Sequence, residues 1–156
     1  MGAFLLLLTL SACEKKYPLE DFPWGDGLVD KSRRNQYHEA DFYGSWKYQS
    51  TQMETWADGV LKESVPVDNV FSFKDFLFQE GGSVSSEGMG GKWTYAYNCV
   101  FVRYTIGSEY FYQVDELTSD RMVLRQEMYP VGIDLTVYFS TPGVQHLYYL
   151  FTFTKE

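Results

Sequence analysis

Few side chains in this sequence are of the types that carry out chemistry. The chain has 156 residues, among them two His and two Cys, and a catalytic thiol needs a base within hydrogen-bond distance. Cys99 lies in an apolar, β-branched run with no obvious His to serve it, which predicts a small buried hydrophobe. His38 and His146 have no visible triad partner either. We therefore expect a protein that is not an enzyme and that holds no metal and no cofactor.

Carboxylates and glycines give no stronger signal. Asp115 and Glu116 are adjacent, and neighbouring residues of a strand point to opposite faces, so they are not expected to act as a pair. Gly88-Met89-Gly90-Gly91 lacks the Lys-Ser or Lys-Thr and the helix of a phosphate-binding loop, which predicts a turn. Three arginines are expected to be solvated charges on strand faces rather than a patch for a carboxylate ligand: Arg103, Arg121 and Arg125.

The composition indicates which elements must position these residues. Hydrophobic residues make up 45% of the chain and aromatic residues 19%. Aromatic side chains favour strands and lose freedom in helices, so the composition disfavours a helical bundle and favours an all-β domain. The formal charge of −8 argues against a nucleic acid partner, because the phosphate backbone repels an acidic surface.

The amino-terminal residues have the pattern of an export signal. The apolar run Phe4 to Leu10 is far shorter than the roughly 20 residues that span a bilayer, and small residues follow it, as in a signal peptide. Leu10-Ser11-Ala12-Cys13 resembles the lipobox of bacterial lipoproteins. The resemblance implies removal of residues 1–12, acylation of Cys13, and a lipid bilayer as partner in the bacterial cell envelope, at the outer membrane or cell surface. The alternative is a soluble protein with an apolar amino-terminal strand.

Beyond the signal, the pattern predicts a tether followed by one domain. Residues 13–40 contain proline and glycine without apolar periodicity, which is typical of a spacer. A pure spacer rarely carries Tyr17, Phe22, Trp24 and Leu28, so packing of part of this segment on the domain is the alternative. Residues 41–156 contain nine or ten short alternating runs separated by turns, with no helix of normal length. Consecutive hairpins predict an antiparallel meander closed into a barrel of about 8–10 strands. A two-sheet sandwich is the alternative.

The first of these runs carries a family signature. Phe42-x-Gly44-x-Trp46 resembles the Gly-x-Trp motif of lipocalins and their bacterial lipocalin-like relatives, and the segment Tyr112 to Leu124 resembles a late strand, turn and strand of the same family. The resemblance covers about residues 41–155. It implies that Gly44 and Trp46 plug one end of the barrel under a basic side chain, for which Arg121 and Arg125 are the candidates.

The family resemblance also implies a non-catalytic binder of a small apolar or amphipathic molecule. In that case the cavity is expected to be lined by Tyr48, Phe73, Trp93, Tyr95, Tyr112, Leu135, Val137, Tyr149 and Phe151. The alternative interpretation is that these side chains fill the barrel completely. The protein would then be a structural or interaction component of the envelope that contacts protein or glycan.

Overall fold

The computed structural model describes residues 29–30, 32–68, 75–129 and 142–156. Within these ranges the chain forms nine strands and one 3-10 turn at Glu39–Phe42, and no helix there is long and apolar enough to cross a membrane. In chain order the strands are β1 (Gly44–Ala57), β2 (Val60–Val67), β3 (Asp75–Gln79), β4 (Ser83–Ser86), β5 (Met89–Ala96), β6 (Cys99–Tyr104), β7 (Glu109–Leu117), β8 (Arg121–Met128) and β9 (Gln145–Lys155).

The strands form an antiparallel barrel. Strands β3 to β9 follow one another as neighbours, β3 pairs with the start of β1, and β9 pairs with β1 along its length, from Trp46↔Lys155 to Ala57↔Gln145. This last pairing closes eight strands into a barrel and leaves β2 as one extra strand. Closure removes the free edges that an open sheet would expose. The predicted all-β barrel is confirmed, and the sandwich alternative is wrong.

Strand β1 is longer than the sequence pattern predicted. The runs at 42–49 and 55–57 belong to one strand, Gly44–Ala57, with an irregularity in its pairing to β9 between Tyr48 and Ser50. The predicted two-residue hairpin at Asp58 and Gly59 is present, with positive φ at both residues, as this tight turn requires. Strands β2 and β3 share one edge of β1, because β9 occupies the other edge.

Alternation along the strands separates an inner from an outer face. In β3, for example, Phe76 and Phe78 point inward and are buried, whereas Leu77 points outward and is exposed. A Cβ on Gly91 would lie 2.5 Å from the main-chain oxygen of Arg103, so β5 and β6 can pair at this distance only with glycine there. The predicted strand at 133–139 and the first part of the predicted strand at 70–78 lie outside the described residues.

Candidate functional site

The two ends of the barrel differ in how far their inward-facing side chains are exposed. We call the end where β1 begins and β9 ends the closed end; it carries the connections at 80–82, 97–98 and 118–120. We call the opposite end the open end; it carries the connections at 58–59, 87–88 and 105–108. Large aromatic rings are buried towards the closed end. At the open end the Tyr104 ring is buried as well, but several other apolar side chains are partly exposed.

Trp46 lies at the centre of the closed end. Its side chain is fully buried, and its indole Nε1 donates a hydrogen bond to the Phe42 carbonyl over 2.7 Å. The Nζ of Lys155 lies 5.0 Å from the centroid of the Trp46 ring, which is cation–π distance. Gly44 has φ +118°, and a Cβ there would approach Lys155 Cε to 3.1 Å. Glycine is therefore needed both for its backbone conformation and for the passage of the lysine stem.

The basic side chain over Trp46 is thus Lys155, and the prediction of Arg121 or Arg125 is wrong. Trp46 and Lys155 are direct cross-strand partners, so their side chains share a face. Arg121 pairs in register with Thr154 on the opposite, outer face, and its Nη1 lies 3.2 Å from Glu116 Oε2.

A segment that precedes β1, residues 32–43, packs across the closed end; we call it the strap. The Tyr95 hydroxyl accepts hydrogen bonds from the main-chain N–H groups of Gln36 and Tyr37, at 3.2 and 3.3 Å, and donates one to Asn98 Oδ1 at 2.7 Å. The Tyr37 hydroxyl accepts a hydrogen bond from the Leu117 main chain at 3.2 Å. This part of the predicted tether therefore packs on the barrel instead of acting as a spacer.

Aromatic rings continue from the closed end into the middle of the barrel. The rings of Phe78 and Trp93 lie 4.8 Å apart, those of Phe76 and Phe153 lie 5.3 Å apart, and Tyr112 meets the Phe151 ring edge to face at 6.1 Å. These are the distances of packed aromatic pairs. All five of the Phe76, Phe78, Trp93, Tyr112 and Phe151 side chains are fully buried. Side chains thus fill this part of the described interior, where a ligand would otherwise lie.

The inner face changes character at the open end. Leu147 and Met128 are cross-strand partners and are 39% and 40% exposed. Further inward-facing side chains at this level are partly exposed: Met53, Met89, Tyr110 and Tyr149. The rim adds exposed Val60, Leu61 and Ile106. Of the six exposed large hydrophobic side chains in the described ranges, five therefore lie at this end, and exposed apolar side chains grouped in this way mark a contact or ligand site.

The structure distributes the predicted lining residues over three levels. Trp93 and Tyr95 belong to the closed-end core, and Tyr112 and Phe151 form the buried middle. Tyr149 is partly exposed at the open end. Tyr48, the cross-strand partner of Phe153, is partly exposed nearer the closed end, and its hydroxyl hydrogen-bonds to Thr51 Oγ1 at 2.7 Å. Four predicted site residues lie outside the described ranges: Cys13, Phe73, Leu135 and Val137.

The residues considered for chemistry lie away from the barrel interior. Cys99 is buried on the outer face beside Phe101 and Val29, and desolvation raises the pKa of its thiol to about 11, so it is protonated at neutral pH. His146 Nδ1 lies 2.8 Å from Glu127 Oε1, in a pair on the outer face. Within the described ranges no group of three or more His, Cys, Asp or Glu residues is placed to hold a metal ion.

The prediction that Asp115 and Glu116 point to opposite faces of their strand is wrong. A bulge between Val114 and Glu116 breaks the alternation of β7, so both carboxylates meet arginines of one face of β8. Asp115 accepts from Arg125 Nε at 2.7 Å, and Glu116 pairs with Arg121. The third arginine, Arg103, pairs with Glu109. The three arginines therefore do not form a basic patch.

Sequence reasoning missed a network on the outer face of β7, β8, β9 and β1. Arg125 lies between two rings, 5.5 Å from the Trp56 centroid and 5.2 Å from the Tyr148 centroid. Its Nη2 is also 3.7 Å from Glu54 Oε2. The carboxylates involved are more than four-fifths buried. Desolvation raises the Asp115 pKa and outweighs the lowering by Arg125. No local motif predicts this network, because its members come from four strands.

Comparison with protein-family models, with curated proteins and with solved structures gives no significant match to this chain. The class of protein therefore follows from the fold. The described residues form a small, closed antiparallel β-barrel of lipocalin-like form, with one end filled by aromatic side chains and covered by the strap.

Proposed function

We propose that this protein is a non-catalytic, lipid-anchored binding protein of the bacterial cell envelope that takes a small apolar or amphipathic molecule at the open end of its barrel. The observation that carries the proposal is the difference between the two ends. Towards the closed end most inward-facing side chains are buried, whereas at the open end Met128 and Leu147 are exposed on the inner face, with Tyr104 the buried ring at this level.

The chemistry of the open end suits an amphipathic ligand. Leu147, Met128 and Met89 offer flexible apolar contacts, and methionine adapts to ligands of irregular shape. Tyr110 and Tyr149 are partly exposed and offer an apolar ring with a hydroxyl that can take a polar group. Small-molecule sites commonly combine an apolar lining with a few polar groups in this way.

Binding is tested with a matched pair of variants. Leu147 and Leu77 are both 39% exposed, but Leu147 faces the inside of the open end and Leu77 faces outward from β3. We expect Leu147→Asp to reduce binding of the fluorescent apolar probe anilinonaphthalene sulfonate at least tenfold, and Leu77→Asp to leave it unchanged. Equal effects of the two variants would show that the probe does not occupy the open end.

Native mass spectrometry of the protein purified from its own cells identifies the natural ligand. A reproducible small-molecule adduct that is lost on denaturation supports the proposal. Repeated preparations without an adduct would favour a second candidate, an interaction component of the envelope. The packed barrel interior and the exposed rim residues Val60, Leu61 and Ile106 are the observations that favour that candidate.

The anchor rests on the lipobox pattern Leu10-Ser11-Ala12-Cys13. We expect Cys13→Ser to move the protein from the membrane fraction to the soluble fraction, because the thiol that carries the acyl chains is removed. Fractionation followed by immunoblotting measures this, with Cys99→Ser as the control. Equal membrane retention of the wild type, Cys13→Ser and Cys99→Ser would contradict the proposed lipid anchor, and the binding proposal would be unaffected.

A further inference from the structure

A cleft of about 290 Å3 lies on the outside of the barrel, between the strap and strand β7. The strap contributes Arg33, Arg34 and Gln36, and the barrel contributes Asn98, Gln113 and Asp115. Gln113 is the cross-strand partner of outward-facing Arg125, so the cleft is separate from the open end and from the packed interior. Its volume is close to the lower limit for small-molecule sites, roughly 300 Å3, which suits a ligand of about one sugar ring.

The charge of the cleft favours an anion. The Asp115 carboxylate is already paired with Arg125, whose Nε lies 2.7 Å from Oδ2 and whose Nη2 also lies 3.7 Å from Glu54 Oε2. Arg33 Nε lies 3.6 Å from Asp30, in an exposed pair that contributes little. Arg34 makes no ion pair with any part of the chain that the structure describes. The cleft therefore offers guanidinium groups within a protein of formal charge −8, and guanidinium groups bind carboxylates in a bidentate geometry.

The remaining polar groups favour hydroxyls beside that anion. The side-chain amides of Gln36 and Gln113 each present donors and an acceptor, which matches hydroxyls because these also donate and accept. Asp115 accepts from Gln113 at 3.1 Å and from Arg125, and a carboxylate has about two further acceptor positions for ligand hydroxyls. An ammonium group fits less well, because the one carboxylate of the cleft is already paired.

The floor of the cleft is held in place before any ligand binds. The Asn98 side chain accepts from the Tyr95 hydroxyl and donates to the Val114 carbonyl at 2.9 Å. Its main-chain N–H donates to Asn35 Oδ1 of the strap at 3.0 Å. The strap and barrel walls are therefore linked to each other, and a preorganised site loses less entropy on binding.

From these observations we propose that the cleft binds a small polyhydroxy carboxylate, of the sugar-acid class. Arg33 and Arg34 hold the carboxylate, and Gln36, Gln113 and Asp115 hold the hydroxyls. This site is independent of the apolar ligand at the open end, so either proposal can fail without the other.

Isothermal titration calorimetry on the full chain in detergent tests the proposal with three probes: glucuronate, glucose and inorganic phosphate. We expect glucuronate to bind at least tenfold more tightly than either of the others, because only glucuronate has both the carboxylate and the ring hydroxyls. Equal binding of phosphate would indicate a general anion site, and equal binding of glucose would remove the role of the arginines. Either result, or no binding of glucuronate, would overturn the proposal.

Two variants locate the binding. Arg34→Gln removes an exposed charge without a described ion pair, so the fold is expected to persist, and glucuronate affinity should fall at least tenfold. Arg121→Gln is the control, because Arg121 lies on the outer face outside the cleft and pairs with Glu116. Unchanged affinity in Arg34→Gln, or an equal loss in the control, would show that glucuronate binds elsewhere.

Discussion

Trp46 offers the sharpest test of the closed end. Replacing it with alanine removes a fully buried indole and leaves the Phe42 carbonyl without the Nε1 donor at 2.7 Å. Truncation of a buried Trp or Phe to alanine costs about 3–5 kcal/mol, so we expect that loss of unfolding free energy. Small domains have about 5–15 kcal/mol in total, and the variant is therefore expected to be only marginally folded.

The substitution Trp46→Phe separates the hydrogen bond from the packing. Phenylalanine keeps an aromatic ring beneath Lys155 Nζ but cannot donate to the buried Phe42 carbonyl. An unsatisfied buried group costs about 1–3 kcal/mol, so the loss should be intermediate between wild type and Trp46→Ala.

Equilibrium unfolding in urea measures both variants. With a slope of about 2 kcal/mol per molar urea, Trp46→Ala should lower the midpoint by about 2 M at an unchanged slope. A loss below about 1 kcal/mol for Trp46→Ala would refute the assignment of Trp46 as the plug of the closed end. Equal stability of Trp46→Phe and wild type would refute the contribution of the indole hydrogen bond.

Three further predictions concern other parts of the barrel. Tyr95→Phe should lower the free energy of unfolding by about 1–3 kcal/mol in urea and speed amide hydrogen exchange at Gln36 and Tyr37, because the hydroxyl that accepts hydrogen bonds from both strap amides is lost. Unchanged exchange would contradict the strap contacts. Gly91→Ala should lower the free energy of unfolding by about 1–3 kcal/mol, because its Cβ would lie 2.5 Å from a main-chain oxygen. The control Gly90→Ala has nothing within 4 Å of its Cβ, so thermal unfolding should show a far smaller change. Burial raises the pKa of the Cys99 thiol from 9.0 to about 11, so the folded state is stabilised below pH 9 and this stabilisation should be lost as the pH rises towards 11. Urea unfolding of Cys99→Ala at the same pH values should not show this loss.

Alternation of residues along the strands was enough to predict the fold class. The two-residue periods of β3 and β9 place Phe76, Phe78, Phe151 and Phe153 on one face, and the structure buries all four. The long β1 was not predicted, because its pairing irregularity near Tyr48 interrupts the period that marks a continuous strand. The sequence alone does not decide whether the strap packs on the barrel, because its contacts with Tyr95 join residues far apart in the sequence.

The full plug and the cleft could not be predicted either, because both depend on contacts between residues far apart in the sequence. Identifying Lys155 as the cation over Trp46 requires the β1–β9 register, which a single sequence does not contain. The cleft joins Arg33 to Asp115 across the strap and β7, and no local spacing links those residues. Likewise, alternation predicts that Trp93 and Tyr149 face inward, but their height along the barrel depends on the register of every strand between them.

The position of an inward-facing residue along the barrel determines whether it can contact a ligand. Buried rings towards the closed end contribute packing stability, which allows Leu147 and Met128 to remain exposed at the open end at a modest cost. The strap reaches the barrel at the closed end, through its contacts with Tyr95. If Cys13 carries the proposed anchor, residues 14–31 can span at most about 65 Å between the membrane and the strap. The proposed tether therefore joins the barrel at its closed end, opposite the end proposed to take the ligand.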